Sequence, residues 1–181
     1  VPILVLVACV SEQIVDEHAG GVVMRIPMTS TSEAAVEHHL AGMKAFDRGM
    51  REAANGHFLA ATAADPDFAL AHLGVATSAN SLEQFAGSLE SAHRRAENAT
   101  PAERAWIESV RRGFESDLVG QLAEARKLVE LATTSPRAWL QVSAGQGALG
   151  EHGQSRSAAR RAAEYAPGFA GAYAALGNSY L

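Results

Sequence analysis

Small apolar residues and isolated rings recur along this chain in a fixed order. Three stretches share one wording: Ala69-Leu70-Ala71-His72-Leu73-Gly74, Arg137-Ala138-Trp139-Leu140 and Gly171-Ala172-Tyr173-Ala174-Ala175-Leu176-Gly177. Each sets a ring after an alanine, just past a proline segment. His38 and Trp106 extend the series, so rings stand at intervals of 34, 34, 33 and 34 residues. Self-similarity at such a period marks stacked supersecondary units. Between the rings, Ala54, Phe58 and Ala61 fall on one face of a helix. Gly49 predicts a turn before that helix, and Asp65-Pro66 predicts its end, because the residue before proline avoids the helical region. Thr100-Pro101-Ala102-Glu103 has the form of a capping box with proline at the first helical position, which predicts a helix start ahead of Trp106. Gly150 and Pro167 punctuate a fourth unit in the same way.

Period and residues together resemble the tetratricopeptide repeat family. In the first unit His38 takes the ring position, Gly42 the small position of the first helix, and Gly49 the turn; only the tryptophan usual at position 38 is missing. Tyr173, Leu176, Gly177 and Tyr180 keep the expected spacings in the last unit. The resemblance implies an all-α fold, a right-handed superhelical solenoid of helix-turn-helix repeats. It places them at about 35–68, 69–102, 103–135 and 136–169, with a partial unit at 170–181, inside a solenoid region of 32–181. Small residues would let paired helices approach, and each unit would bury its apolar face on the next. Departures are Arg95, Val110, Ser143, Gln146 and Ser155 at small or apolar sites. Arg111-Arg112-Gly113 predicts longer helices or a displaced turn in the middle region. The wording of 65–74 and 101–108 is similar to exported bacterial members of the family.

Composition sharpens this picture. The chain has 181 residues, 48% hydrophobic but only 6% aromatic, which favours closely packed helices over a sandwich or barrel. Its net charge of −5 is too acidic for a dedicated nucleic-acid binder. The charge is uneven: residues 1–92 hold 4 basic and 11 acidic side chains, and residues 93–181 hold 11 and 9. Solvated helix faces explain this, or a groove whose character changes along its length. A single cysteine, Cys9, excludes an internal disulfide.

The apolar run Val1–Cys9 is too short to span a bilayer but fits the apolar region of a signal peptide. Leu6-Val7-Ala8-Cys9 resembles the lipobox of bacterial lipoproteins, which implies lipidation of Cys9 and a cell-envelope location. The other reading is a buried segment whose cysteine acts as a small hydrophobe, in a cytoplasmic protein. Residues 1–9 are thus expected as a truncated signal and 10–31 as a tether, broken by Gly20-Gly21. Val1 lacks a basic leader before it, and Leu181 falls inside a fifth unit, so a segment of a longer protein is expected.

Chemistry is sparse. Gly145-x-Gly147-x-x-Gly150 matches a dinucleotide fingerprint in letters, but it lies on a predicted helix and its turn, with no strand before it. Seven histidines form no metal-ligand spacing, and no acid, base and oxyanion donor converge. Neither catalysis, a cofactor nor a metal is expected. The resemblance implies a partner groove on the concave face, lined by the first helix of each repeat. Its positions here are Val36, His39, Met43 and Asp47, then Leu70, Leu73, Thr77 and Asn80. Arg104, Ile107 and Arg111 follow in the third repeat, Arg137 and Leu140 in the fourth, and Asn178 in the last. The family's carboxylate clamp is not met, since its lysines are missing, although Arg104, Arg111 and Arg137 could grip carboxylates. The expected function is a scaffold that binds a peptide or protein partner. The alternative is a regulatory or substrate-docking segment of a longer enzyme.

Overall fold

The computed structural model describes residues 26–180, and every regular element among them is helical. The elements are α1 (Glu33–Asp47), α2 (Arg51–Ala64), α3 (Ala69–Thr77), α4 (Leu82–Arg95), α5 (Pro101–Phe114), α6 (Leu118–Leu131), α7 (Pro136–Ala148), α8 (His152–Tyr165) and α9 (Ala170–Asn178). A short 3-10 turn, Ala96–Asn98, follows α4. Packing is strongest within the pairs α1–α2, α3–α4, α5–α6 and α7–α8. Each pair then rests on the next, so the chain is an all-α solenoid of helix-turn-helix units. Cys9 and the remainder of the signal-like segment, with residues 10–25 of the expected tether, lie outside the described residues.

The helix starts follow from local chemistry. Ser32 Oγ accepts from Ala35 N, Ser81 Oγ from Gln84 N, and Asp117 Oδ1 from Gly120 N. Such caps contribute about 1 kcal/mol each. Thr100 and Glu103 form the reciprocal capping box, with Pro101 opening α5. The turns inside three pairs need a left-handed residue. Gly49 (φ 74°) and Gly150 (φ 77°) supply it at no steric cost, and Ser116 (φ 64°) supplies it against its Cβ.

Close helix approach explains the small residues. Phe58, fully buried on α2, lies between Gly42 of α1 and Gly74 of α3. A Cβ on Gly42 would come within 2.7 Å of that ring, and one on Gly74 closer still. The ring residues serve a second purpose. His72 Nε2 is 2.9 Å from the Pro66 carbonyl, Trp139 Nε1 donates to Thr133 O at 2.8 Å, and Tyr173 Oη to Pro167 O at 2.9 Å. Each ring therefore secures the loop six residues upstream, where one unit ends and the next begins.

Trp106 makes no such bond, and its place in the interval series needs correction. The left-handed Ser116 stands 67 residues after Gly49 and 34 before Gly150. Ser109, buried with its Oγ donating to Gln121 O at 3.2 Å, stands 34 residues before Ser143. Both offsets start the third unit at 102 rather than 103, so Ala105 corresponds to the rings and Trp106 to the position after them. The helix α5 also runs through Arg111-Arg112-Gly113, and its turn comes only at 115–117.

The irregular polar residues pair with one another. In the fourth unit Ser143 and Ser155 meet across α7 and α8, their hydroxyls 3.0 Å apart, and Gln146 Nε2 donates to Gln154 Oε1. In the second unit α3 is short. Ser78 turns its hydroxyl back onto Gly74 O, and Asn55 Nδ2 bonds Ser78 Oγ at 3.0 Å. Gly145-x-Gly147-x-x-Gly150 is the end of α7 and its turn, as read from the sequence. No strand precedes it among the described residues.

Residues 26–31 differ from a free tether. Ile26 and Met28 are buried in the core of the first three units. Thr29 N donates to Glu103 Oε1 at 3.0 Å, its hydroxyl donates to Glu103 Oε2, and Ser30 Oγ donates to Asp65 Oδ2 at 2.6 Å. Apolar Ile26 and Met28 are buried while the Pro27 carbonyl and Thr29 bond the Thr100–Glu103 capping box of α5, so this segment straps onto the solenoid.

Candidate functional site

The first helices α1, α3, α5, α7 and α9 together enclose a chamber of about 520 Å³. No residue of α2, α4, α6 or α8 lines it. The same position of every unit contributes: His39, Leu73, Trp106, Leu140 and Ala174, at steps of 34, 33, 34 and 34 residues. Met43, Thr77 and Val110 repeat the arrangement one helical turn further on. One face of five equivalent helices, the first four each backed by the second helix of its pair, thus forms a single concave surface.

The fold is that of the tetratricopeptide repeat.

No family model matches this sequence, and no curated protein matches it. Among solved structures this chain is similar to MamA, at 19% identity over 82% of this chain and 81% of that one, with a TM-score of 0.47. It is also similar to YrrB, described as a TPR protein with an unusual peptide-binding site, at 18% identity over 83% and 78%, TM-score 0.42. A third is the first TPR of Spaghetti (RPAP3) bound to an HSP90 peptide, at 16% identity over 82% and 92%, TM-score 0.39.

Of the groove residues expected from the tetratricopeptide register, His39, Met43 and Asp47 line the chamber from α1. Leu70, Leu73 and Thr77 line it from α3, and Arg137 and Leu140 from α7. The others lie elsewhere. Val36 packs on the core, and Asn80 is exposed in the α3–α4 connection. Ile107 is fully buried, so its side chain is closed to a partner. Arg104 donates to the carbonyls of Glu97 and Ala99. Arg111 is held between Glu108 and Glu115, at 2.9 and 2.5 Å. Burial alone would raise the Glu108 carboxyl, but Arg111 and the nearby His93 outweigh it and hold it below its usual range. Asn178 ends α9, exposed and away from the chamber. The one-residue shift of the third unit explains why its expected positions miss: Trp106 and Val110 stand where Ile107 and Arg111 were expected.

The floor of the chamber carries an ion pair. Arg137 Nη2 donates to Asp47 Oδ2 at 2.5 Å across 90 residues of sequence, joining the second residue of α7 to the last of α1. Both are largely buried, at 6% and 18% side-chain exposure. The same guanidinium lies 4.9 Å over the Phe169 ring at the start of α9. In a simple solenoid a unit touches only its neighbours. This pair links the first unit to the fourth and acts as a clasp across the concave face.

His39 is the second polar feature. It is buried between the Phe58 and Phe68 rings, with centroids at 5.4 and 5.0 Å, and neither ring nitrogen has a partner among the described residues. Burial first, and the Arg137 charge second, push its pKa down to about 3. The imidazole is therefore neutral at ordinary pH. Among the described residues no three metal-ligating side chains cluster, and no helix is long and apolar enough to cross a membrane. Sequence reasoning missed Phe46, Trp106, Val110, Gln141, Phe169 and Ala174 in the chamber. Phe46 and Ala174 were within reach of it, because they follow from the same register that located Asp47 and Leu140.

Proposed function

We propose that the chain is an interaction scaffold that docks a peptide or protein partner on its concave face, without a catalytic step. The observation that carries this reading is the chamber itself. Five equivalent helices turn mostly apolar side chains into one concavity, with Leu140 half-buried and Ala174 exposed at its rim. Concave apolar surface with a few placed polar groups is the usual form of a binding site. Removing that surface from water supplies the driving force. The lipobox-like Leu6-Val7-Ala8-Cys9 supports a further element of the proposal: the scaffold works in the bacterial cell envelope, anchored by lipid on Cys9.

Two experiments test these statements separately. Leu140→Glu should reduce stoichiometric partner capture, while Leu59→Glu, on the exposed side of α2, should leave it unchanged. Equal capture by both variants would move the site off the concave face. Cys9→Ala in the full-length protein should release it from the membrane fraction. An unchanged fractionation would end the anchor proposal and leave the docking proposal intact.

A further inference from the structure

The charges in the chamber say more about the partner than its shape does. The charged side chains lining it are Asp47 and Arg137, and they are bonded to each other. His39 is buried and unprotonated at ordinary pH. The other polar side chains of the lining are Thr77 and Gln141, both neutral. The remainder is apolar, with Phe46, Trp106, Leu73, Leu140 and Phe169 dominating. Thus, among the described residues that line it, no charge is left over for a partner; Arg51, outside the lining, donates to the Thr77 and Ala79 carbonyls.

Resting on the docking reading above, we infer that the chamber takes a short stretch of uncharged apolar side chains from a peptide partner, and that the Asp47–Arg137 clasp makes it reject charged ones. A charged side chain entering here would lose its water and find no free counter-charge. An acidic one would meet Asp47 already seated on Arg137, and a basic one would meet Arg137 already seated on Asp47. An apolar one loses nothing polar and covers the exposed lining. The volume, about 520 Å³, lies inside the range of pockets that bury ligands of this size.

The test uses three capped peptides: Ala-Leu-Phe-Leu-Ala, and the same sequence with both leucines replaced by glutamate or by lysine. Binding to the full chain is measured by calorimetry and by the indole NMR signal of Trp106, which lines the chamber. The leucine peptide should bind and shift that signal, with the glutamate and lysine peptides at least tenfold weaker. Ala174→Trp, which fills the chamber from an exposed position, should abolish binding. Asp47→Asn should free the Arg137 charge and turn the preference toward the glutamate peptide. If that variant does not fold, Thr77→Lys adds an unpaired cation at the rim and should do the same. Charged peptides that bind the wild type as well as the leucine peptide would overturn the inference. So would binding that Ala174→Trp does not touch. Failure of all three peptides, while Leu140→Glu still weakens capture of a whole partner, would overturn the inference and leave the docking reading standing. Loss of both effects would overturn both.

Discussion

Replacing His39 with Phe should make the protein less sensitive to acid. The imidazole sits between two phenylalanine rings with both nitrogens unpartnered, and its pKa falls from 6.5 to about 3. The sign follows from proton counts. Below pH 6.5 the unfolded chain takes up a proton at this site, and the folded chain does not until about pH 3. Stability from this group is therefore full above pH 6.5 and is lost as pH falls through that window, at about 1.4 kcal/mol per pH unit. At pH 5.0 the loss amounts to ~2 kcal/mol. Phenylalanine has no proton to bind, and it removes two unpartnered buried nitrogens, which cost about 1–3 kcal/mol when left unsatisfied. Urea unfolding followed by circular dichroism, at pH 7.5 and 5.0, measures both effects. His39→Phe should match or exceed the wild type at pH 7.5 and should lose ~2 kcal/mol less on acidification. The other six histidines are common to both proteins, so their contribution cancels in the comparison. An identical acid loss in the two proteins would refute the assignment of a neutral, desolvated His39.

Glycine substitutions should have opposite signs at two helical sites. Gly74→Ala drives a Cβ into Phe58 and should cost about 1–3 kcal/mol, whereas Gly56→Ala on α2 meets open space and should add up to ~1 kcal/mol. Denaturant midpoints that move in the same direction would contradict the sandwich around Phe58. Ser116→Gly should relieve the left-handed serine and raise stability by roughly 0.5–1 kcal/mol, and a lower midpoint would contradict it. Glu103→Ala removes the acceptor for Thr29 and Thr100 and should cost about 3 kcal/mol. Amide exchange at Thr29 should accelerate more than at Leu122, which lies in a separate packing cluster; equal change at the two sites would deny the strap its anchor.

The helical repeat was legible because its determinants are local and periodic. Gly49, Gly150, the Thr100–Glu103 box and the small residues facing Phe58 each act within one unit or between neighbours. The polar departures at Ser143 and Ser155 made sense only as a pair, since their spacing gives no sign that the two hydroxyls meet. Trp106 misled for a physical reason. It stands at a ring-like interval, but register is set by the residue that packs on the second helix, Ser109, and by the left-handed turn. Serine filled both of those places, and neither carried the glycine signal seen in the first unit. The clasp was beyond sequence reasoning altogether. Asp47 and Arg137 were both expected on the groove, yet their bond depends on how far the solenoid curls over four units. The strap at 26–31 was hidden for a similar reason, since its partners Asp65 and Glu103 lie at the end of the first unit and the start of the third.

Methyl NMR on the full chain with a captured partner tests the concave docking face most directly. Met43, Leu73 and Leu140 report on the chamber, and Leu59 and Leu131 report on the exposed sides of α2 and α6. Partner addition should shift the first three signals and leave the last two in place. Shifts confined to Leu59 and Leu131 would contradict it.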